Sequence, residues 1–166
     1  MRLFISFEGV EGSGKTTQVE MLHSFLVDMR VSVLKTREPG GTALGDRLRP
    51  ILLEHSDVPV SPLAELFLYA AARAQLVKEV IAPALDHHTV VISDRYVDST
   101  IAYQGYARGI DIALIERLNQ SATNGCTPHL TVLLDVDPEI GLSRISSRPL
   151  RLLGGGRDRL ESESLH

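Results

Sequence analysis

The chain has 166 residues and a formal net charge of −4; 43% of its residues are hydrophobic and 23% are charged. These values fit one folded domain and exclude a disordered chain, a collagen and a coiled coil. No apolar run approaches the ~20 residues of a membrane span, and the first residues carry acids early rather than the apolar stretch of a secretory signal. The chain therefore reads as soluble and cytoplasmic. The acidic balance argues against nucleic acid as a partner. Charge is uneven: residues 1–143 hold 12 basic and 18 acidic side chains, and residues 144–166 hold 5 Arg against 3 acids. Cys126 is the single cysteine, so neither an intrachain disulfide nor a Cys-based zinc site is available.

Residues 2–8 form an apolar, β-leaning run that stops at Gly9. A glycine-rich turn follows, and from Lys15 to Asp28 apolar residues recur at helical spacing. Residues 31–37 read as a second strand, and EPGGT (38–42) as a loop. A helix is expected over 43–54 and a break at 57–62. One long helix is expected from Leu63 to Leu85, then a short strand over 89–94. Residues 98–106 and 111–122 look helical, residues 129–136 form a fourth strand, and Pro138 suits the start of another helix. Near-continuous apolar strands alternating with helices mean βαβ units: an α/β fold whose central parallel sheet carries helices on both faces. From 144 onward three consecutive glycines (154–156) and scattered arginines read as a mobile flap, and no domain linker interrupts the chain.

Gly9-Val10-Glu11-Gly12-Ser13-Gly14-Lys15-Thr16 fits the pattern G-x-x-x-x-G-K-[ST], with a strand before and a helix after. In such a loop backbone N–H groups turn inward around a phosphate chain, and the helix N-terminus adds partial positive charge. Lys15 is expected to reach the β- and γ-phosphates, and the Thr16 hydroxyl to ligate Mg²⁺. The ATP-binding set is Gly9 to Thr17. The motif establishes a nucleoside triphosphate and magnesium without choosing among kinase, GTPase and motor; the N-K-x-D base-reading motif usual in GTPases is not present.

Four further clusters carry two readings each. Arg37, at the end of the second strand, faces the ligand crevice of an open α/β sheet or is a surface residue of an ordinary turn. The Glu38-Pro39 bond before Gly40-Gly41 suits a cis peptide. Asp94-Arg95 suits a metal hydration shell and a grip on phosphate oxygens, or is a salt-bridged strand end. Tyr69 and Arg73, at i,i+4 on one helix face, suit a sandwiched base, or are a core Tyr and a surface Arg. Arg144, Arg148, Arg151, Arg157 and Arg159 suit a flap closing over a transferring phosphoryl group, or are a solvated tail.

Taken together, FEGVEGSGKTT (7–17), TREPGGT (36–42), AELFLYAAARAQ (64–75), SDRYVDSTIAYQGYARG (93–109), LLDVDPEIGLSR (133–144) and DRLESE (158–163) resemble the thymidylate kinase (dTMP kinase) family in order along nearly the whole chain. The resemblance implies a single domain over 1–166, of the nucleoside-monophosphate-kinase version of the P-loop fold with a five-stranded parallel sheet, and the reaction ATP + dTMP → ADP + dTDP, serving dTTP synthesis. It implies that Glu11 faces the deoxyribose 3′-hydroxyl and that Arg37, Arg49 and Arg95 surround the dTMP phosphate. Tyr69, where the family more often has Phe, would stack on thymine. Arg73, Thr100 and Gln104 would touch the base, Tyr103 would crowd the sugar's 2′ position, and Pro39 would lie near the thymine methyl. Asp94 joins Thr16 as a candidate magnesium residue. No arginine lies between the loop glycines, as in the bacterial subtype whose LID, here about 144–160, supplies catalytic arginines: Arg148, Arg151, Arg157 and Arg159, the last aligning best. Members of the family continue past DRLESE with a helix, a final strand and another helix, so the sequence is expected to lack the last fifth. A homodimer is typical of the family. Two rival readings are another nucleotide or nucleoside kinase and a catalytically impaired nucleotide-binding module.

Overall fold

The computed structural model describes residues 2–54 and 59–146. Four parallel strands make its sheet, in the order β2-β3-β1-β4: β1 Leu3–Gly9, β2 Val33–Arg37, β3 Val90–Asp94 and β4 Leu130–Leu134. Among the described residues there are four strands where the resemblance implied five. β1 lies at the centre, with Leu3 opposite Val90 and Ile5 opposite Leu130. Its burial on both faces explains the unbroken apolar run that marked it in the sequence. Strand alternation divides the core in two. Ile5, Phe7, Val90 and Ile92 point to one face and pack with Val19 of α1 (Lys15–Asp28). Phe4 and Val91 point to the other, against Leu76, Val77, Ile81 and Leu85.

The long helix expected over Leu63–Leu85 is a continuous rod with an insertion. α3 (Pro62–Leu76) passes through a π-helical turn, Val77–Ile81, into α4 (Ala82–Asp86). Pro83 explains the widening, because its ring clashes with the carbonyl four residues back and it has no N–H to donate there. The helix expected over 98–106 is likewise α5 (Val97–Thr100) running into a π-helical segment, Ile101–Ala107. Gly105 lets that segment press on its neighbour, since a Cβ there would stand 2.4 Å from Ile112 Cδ1. The remaining helices are α2 (Ala43–Leu53), α6 (Ile112–Thr123) and α7 (Pro138–Ser146). β2 and β4 are shorter than expected. Among the described residues β4 is the last strand of the sheet, with Leu130 and Leu133 exposed.

Helix ends separate structural from functional termini. α2, α3 and α6 are capped by side chains that accept a backbone N–H: Thr42 from Gly45, Ser61 from Ala64 and Asp111 from Ala113. α1 has no side-chain cap and no acid in its first turn. Its leading N–H groups and positive dipole end stand at the carboxyl ends of β1 and β3, where an open parallel sheet binds ligands.

Candidate active site

The loop between β1 and α1 turns on Gly12 (φ 71°) and Gly14 (φ 97°), left-handed conformations that side chains resist. Gly12 also touches α7 backbone to backbone. A Cβ on Gly12 would lie 2.1 Å from Gly141 O, and one on Gly141 would lie 2.2 Å from Glu11 O. Arg144, exposed on α7, donates from Nη1 to Gly12 O at 3.3 Å. Lys15 is buried, and its Nζ donates to Gly9 O (2.9 Å) and Val10 O (2.8 Å), holding the ammonium inside the loop. Ser13 Oγ is buried with no hydrogen-bond partner.

Thr16 Oγ1 donates to Asp94 Oδ2 at 2.7 Å, joining the first turn of α1 to the end of β3. A hydroxyl and a carboxylate beside a phosphate loop are hard oxygen donors, the set magnesium takes together with phosphate oxygens and water. These residues fit the ion.

Arg95 follows Asp94 with φ 74°, an unusual conformation for a side chain. Two bonds hold it: its N–H donates to Phe7 O at 2.9 Å, and Ser93 Oγ donates to its carbonyl at 2.7 Å. The guanidinium lies 5.4 Å from the Tyr103 ring centroid, pairs with Glu11, and donates to Ser99 Oγ (3.0 Å) and Gly9 O (3.2 Å). Behind it stands Glu8, a buried carboxylate that accepts from Tyr96 N (2.7 Å) and Ser99 Oγ (2.6 Å). Burial pushes the Glu8 carboxyl up, opposed by these bonds and by the Arg95 charge. A cleft of about 440 Å³ opens here, with Glu11, Arg95 and Tyr103 on one wall and Leu134 and Leu142 on another.

A second cluster lies behind α5. Arg73 is 1% exposed. Its Nε donates to Glu38 Oε1 (3.1 Å) and Oε2 (2.8 Å), and its Nη1 to Asn119 Oδ1 (2.6 Å). Its Nη2 donates to Tyr96 O (3.1 Å) and Thr100 Oγ1 (2.9 Å). Burial raises the Glu38 carboxyl, and the Arg73 charge and hydrogen bonds lower it. Tyr69 is buried one turn earlier on the same helix. Gln104 Nε2 donates to Glu65 Oε1 at 2.7 Å. The Glu38-Pro39 bond is cis, Pro39 is buried, and Arg49 Nη1 donates to Pro39 O at 2.7 Å.

The residues read from the sequence thus fall into two groups. Gly9–Thr17, Asp94, Arg95 and Tyr103 surround the phosphate loop. Pro39, Arg49, Tyr69, Arg73, Thr100 and Gln104 line the region from the EPGG turn to the π-helical segment. Arg37 is exposed at the end of β2. Arg148, Arg151, Arg157 and Arg159 lie outside the described residues, as does most of the expected LID. The sequence reading missed Glu8, Glu38, Glu65, Ser99 and Asn119. Glu65 carried a signal, because it lies four residues before Tyr69 and so on the same helix face. Glu8 was the one acid in an apolar strand. Glu38 had no local signal, since its partner is 35 residues away.

A family model described as "Thymidylate kinase" matches residues 7–165. A thymidylate kinase of Syntrophotalea carbinolica is 52% identical over 165 residues, covering 99% of this chain and 76% of that protein. One from a Synechococcus species is 55% identical over 163 residues, covering 98% of this chain and 74% of that protein. The crystal structure of thymidylate kinase from Ehrlichia chaffeensis matches with a TM-score of 0.75 and 41% identity, over 86% of this chain and 81% of that one.

Proposed function

Because the chain belongs to the thymidylate kinase family and transfers the γ-phosphoryl group of ATP to dTMP, we propose that the phosphate-loop cluster holds the triphosphate and meets the phosphate and sugar of dTMP, while the second cluster receives its base. The phosphate loop, its Lys15 and the uncapped N-terminus of α1 hold the triphosphate. Arg95 and Glu11, with Arg37 and Arg49, receive the dTMP phosphate and sugar. Tyr69, Arg73, Thr100 and Gln104 receive the base, with Pro39 beside its methyl group, and Tyr103 crowds the 2′ position. Thr16 and Asp94 would hold magnesium, which supplies charge neutralisation on the phosphates when bound. Of the LID arginines, Arg159 is the first choice for a catalytic role. A homodimer and a cytoplasmic location go with this reading; among the described residues no helix is long and apolar enough to cross a membrane.

The chemistry needs little else. The acceptor is a phosphate monoester whose second pKa is near 6, so above that pH it is largely a dianion and already a nucleophile. Catalysis is then alignment plus charge stabilisation, with no general base required. The site matches that demand, being built of one Lys, arginines and backbone N–H groups rather than a His–carboxylate pair.

The observation that carries the reading is Arg95. Its side chain sits between Gly9 O of the loop and Glu11 and Tyr103 of the cleft, on a backbone conformation fixed from both sides. Arg95→Ala should lower kcat/KM for dTMP by about 10²–10³-fold, the loss typical of removing one preorganised charge-stabilising donor. ATP affinity, measured by calorimetry, should fall far less than kcat/KM, because Arg95 meets the loop only at Gly9 O and Glu11 while Lys15 and the loop's N–H groups remain in place. Equal loss of ATP affinity and turnover would remove Arg95 from the acceptor side.

A further inference from the structure

Glu65 is 0% exposed on α3, among residues that otherwise pack the interior. Burying a carboxylate is costly unless it is paired and hydrogen-bonded. Here Arg108 supplies the pair, its Nη2 lying 3.2 Å from Glu65 Oε2. The other oxygen, Oε1, takes the Gln104 side-chain amide at 2.7 Å. Arg108 and Gln104 both belong to the segment at the end of the π-helical turns, so one buried carboxylate clamps that segment to α3 at two points.

The clamp has a chemical consequence. A carboxylate paired with Arg accepts hydrogen bonds and donates none. The Gln104 atom facing it must therefore be the amide nitrogen. Gln104 is 1% exposed, which leaves it little freedom to turn over. Its carbonyl oxygen is then the end of the amide turned away from Glu65. Thr100, four residues earlier, is buried and held by Arg73 at 2.9 Å. We propose that Glu65 is a specificity-determining positioning residue: by taking the amide of Gln104 it makes Gln104 present a hydrogen-bond acceptor, and so selects a pyrimidine whose N3 carries a proton.

This rests on the assignment of Gln104 to the base site. Thymine and uracil carry a proton on N3 and cytosine does not, so cytosine sets a lone pair against the oxygen. A site built to make one particular hydrogen bond rejects the analogue that leaves its buried group unpaired. Glu65 need not touch the nucleotide to impose the choice.

The test compares kcat/KM for dTMP and dCMP in the wild type, Glu65→Gln, Gln104→Ala and the double variant. Glutamine at 65 offers either a donor or an acceptor, so it no longer dictates the amide's orientation. The dTMP preference should drop by at least about tenfold in E65Q, mainly through a gain in dCMP, with kcat for dTMP changing less. Gln104→Ala should lower the preference as far, and the double variant no further, because both act through one bond. Additive losses, or an equal fall on both nucleotides, would overturn the proposal. A wild type that does not prefer dTMP over dCMP would instead overturn the base-site assignment beneath it. If E65Q does not fold, the Gln104 side-chain amide signals of the wild type decide by NMR. They should be slow to exchange and little shifted when dTMP is added, since they face Glu65. Large dTMP-induced shifts would mean that the amide faces the base, which also overturns the proposal.

Discussion

The two halves of the site are built on opposite plans. Around Arg73, the Nε and both Nη groups each engage a described acceptor, and the guanidinium is almost fully removed from water. Around the phosphate loop, Thr16 and Thr17 are exposed, Ser13 Oγ is unpartnered, α1 has no side-chain cap, and Lys15 turns its charge onto its own loop's carbonyls. The first half satisfies its central charge, leaving only Asn119 Nδ2 of this network buried without a partner. The second is rich in donors directed at where an anion belongs. A base is a fixed planar shape, which a preformed network can read. A triphosphate is a flexible polyanion that is best met by backbone N–H groups and mobile charge.

Substitutions should separate the halves cleanly. The largest expected effect is on folding. Glu38→Ala leaves Arg73 buried and uncompensated, which should cost about 3–5 kcal/mol. For a chain of this size that lowers Tm by roughly 6–20 °C in a thermal melt. A Tm within the error of the wild type would mean that Arg73 finds water or another partner. Lys15→Met should do the converse. Turnover falls by at least about 10²-fold in a coupled ADP-release assay, while Tm moves much less than in E38A.

The third test lies between the two clusters, at Glu8. Its carboxyl sits above the ordinary 4.5, chiefly because burial disfavours its charge. The folded state then binds the proton more tightly than the unfolded state does. Glu8 therefore favours folding at low pH, and its contribution declines as pH rises from about 4.5 through the raised value. Glu8→Gln removes this dependence. Relative to E8Q, the wild type should lose Tm as pH is raised from 4.5 toward neutrality, and parallel Tm curves would contradict the assignment. The smallest effect belongs to neither half. Arg2 and Asp86 form an exposed pair at 3.8 Å, and Arg2→Ala should stay within about 0.5 kcal/mol in a denaturant melt.

The same division decided what the sequence could reveal. The phosphate loop is local: its glycines, Lys15 and Thr16 are neighbours in the chain, so spacing alone gave the geometry. Asp94 and Arg95 were legible because a charged pair ended an apolar strand. The second cluster is a set of long-range partners. Arg73 meets Glu38, Asn119 and Thr100 across 35, 46 and 27 residues, and no periodicity connects them. Tyr69 and Arg73 did share a helix face, as their spacing indicated. What the face would be buried against was not written there. Both π-helical segments were read as ordinary helix, because a short widened turn leaves the apolar pattern nearly unchanged. Pro83 was the one local clue to the first of them.

The contact between Gly12 and Gly141 ties loop and helix into one mechanical unit. The contact is backbone against backbone, flanked by the Val10 and Arg144 side chains, so a shift of the loop presses directly on the first turns of α7. A polyphosphate seated in the loop would therefore bear on α7 as well as on the loop. Alanine at either glycine should act as a wedge, transmitting to the far end of that helix a displacement that begins at the nucleotide.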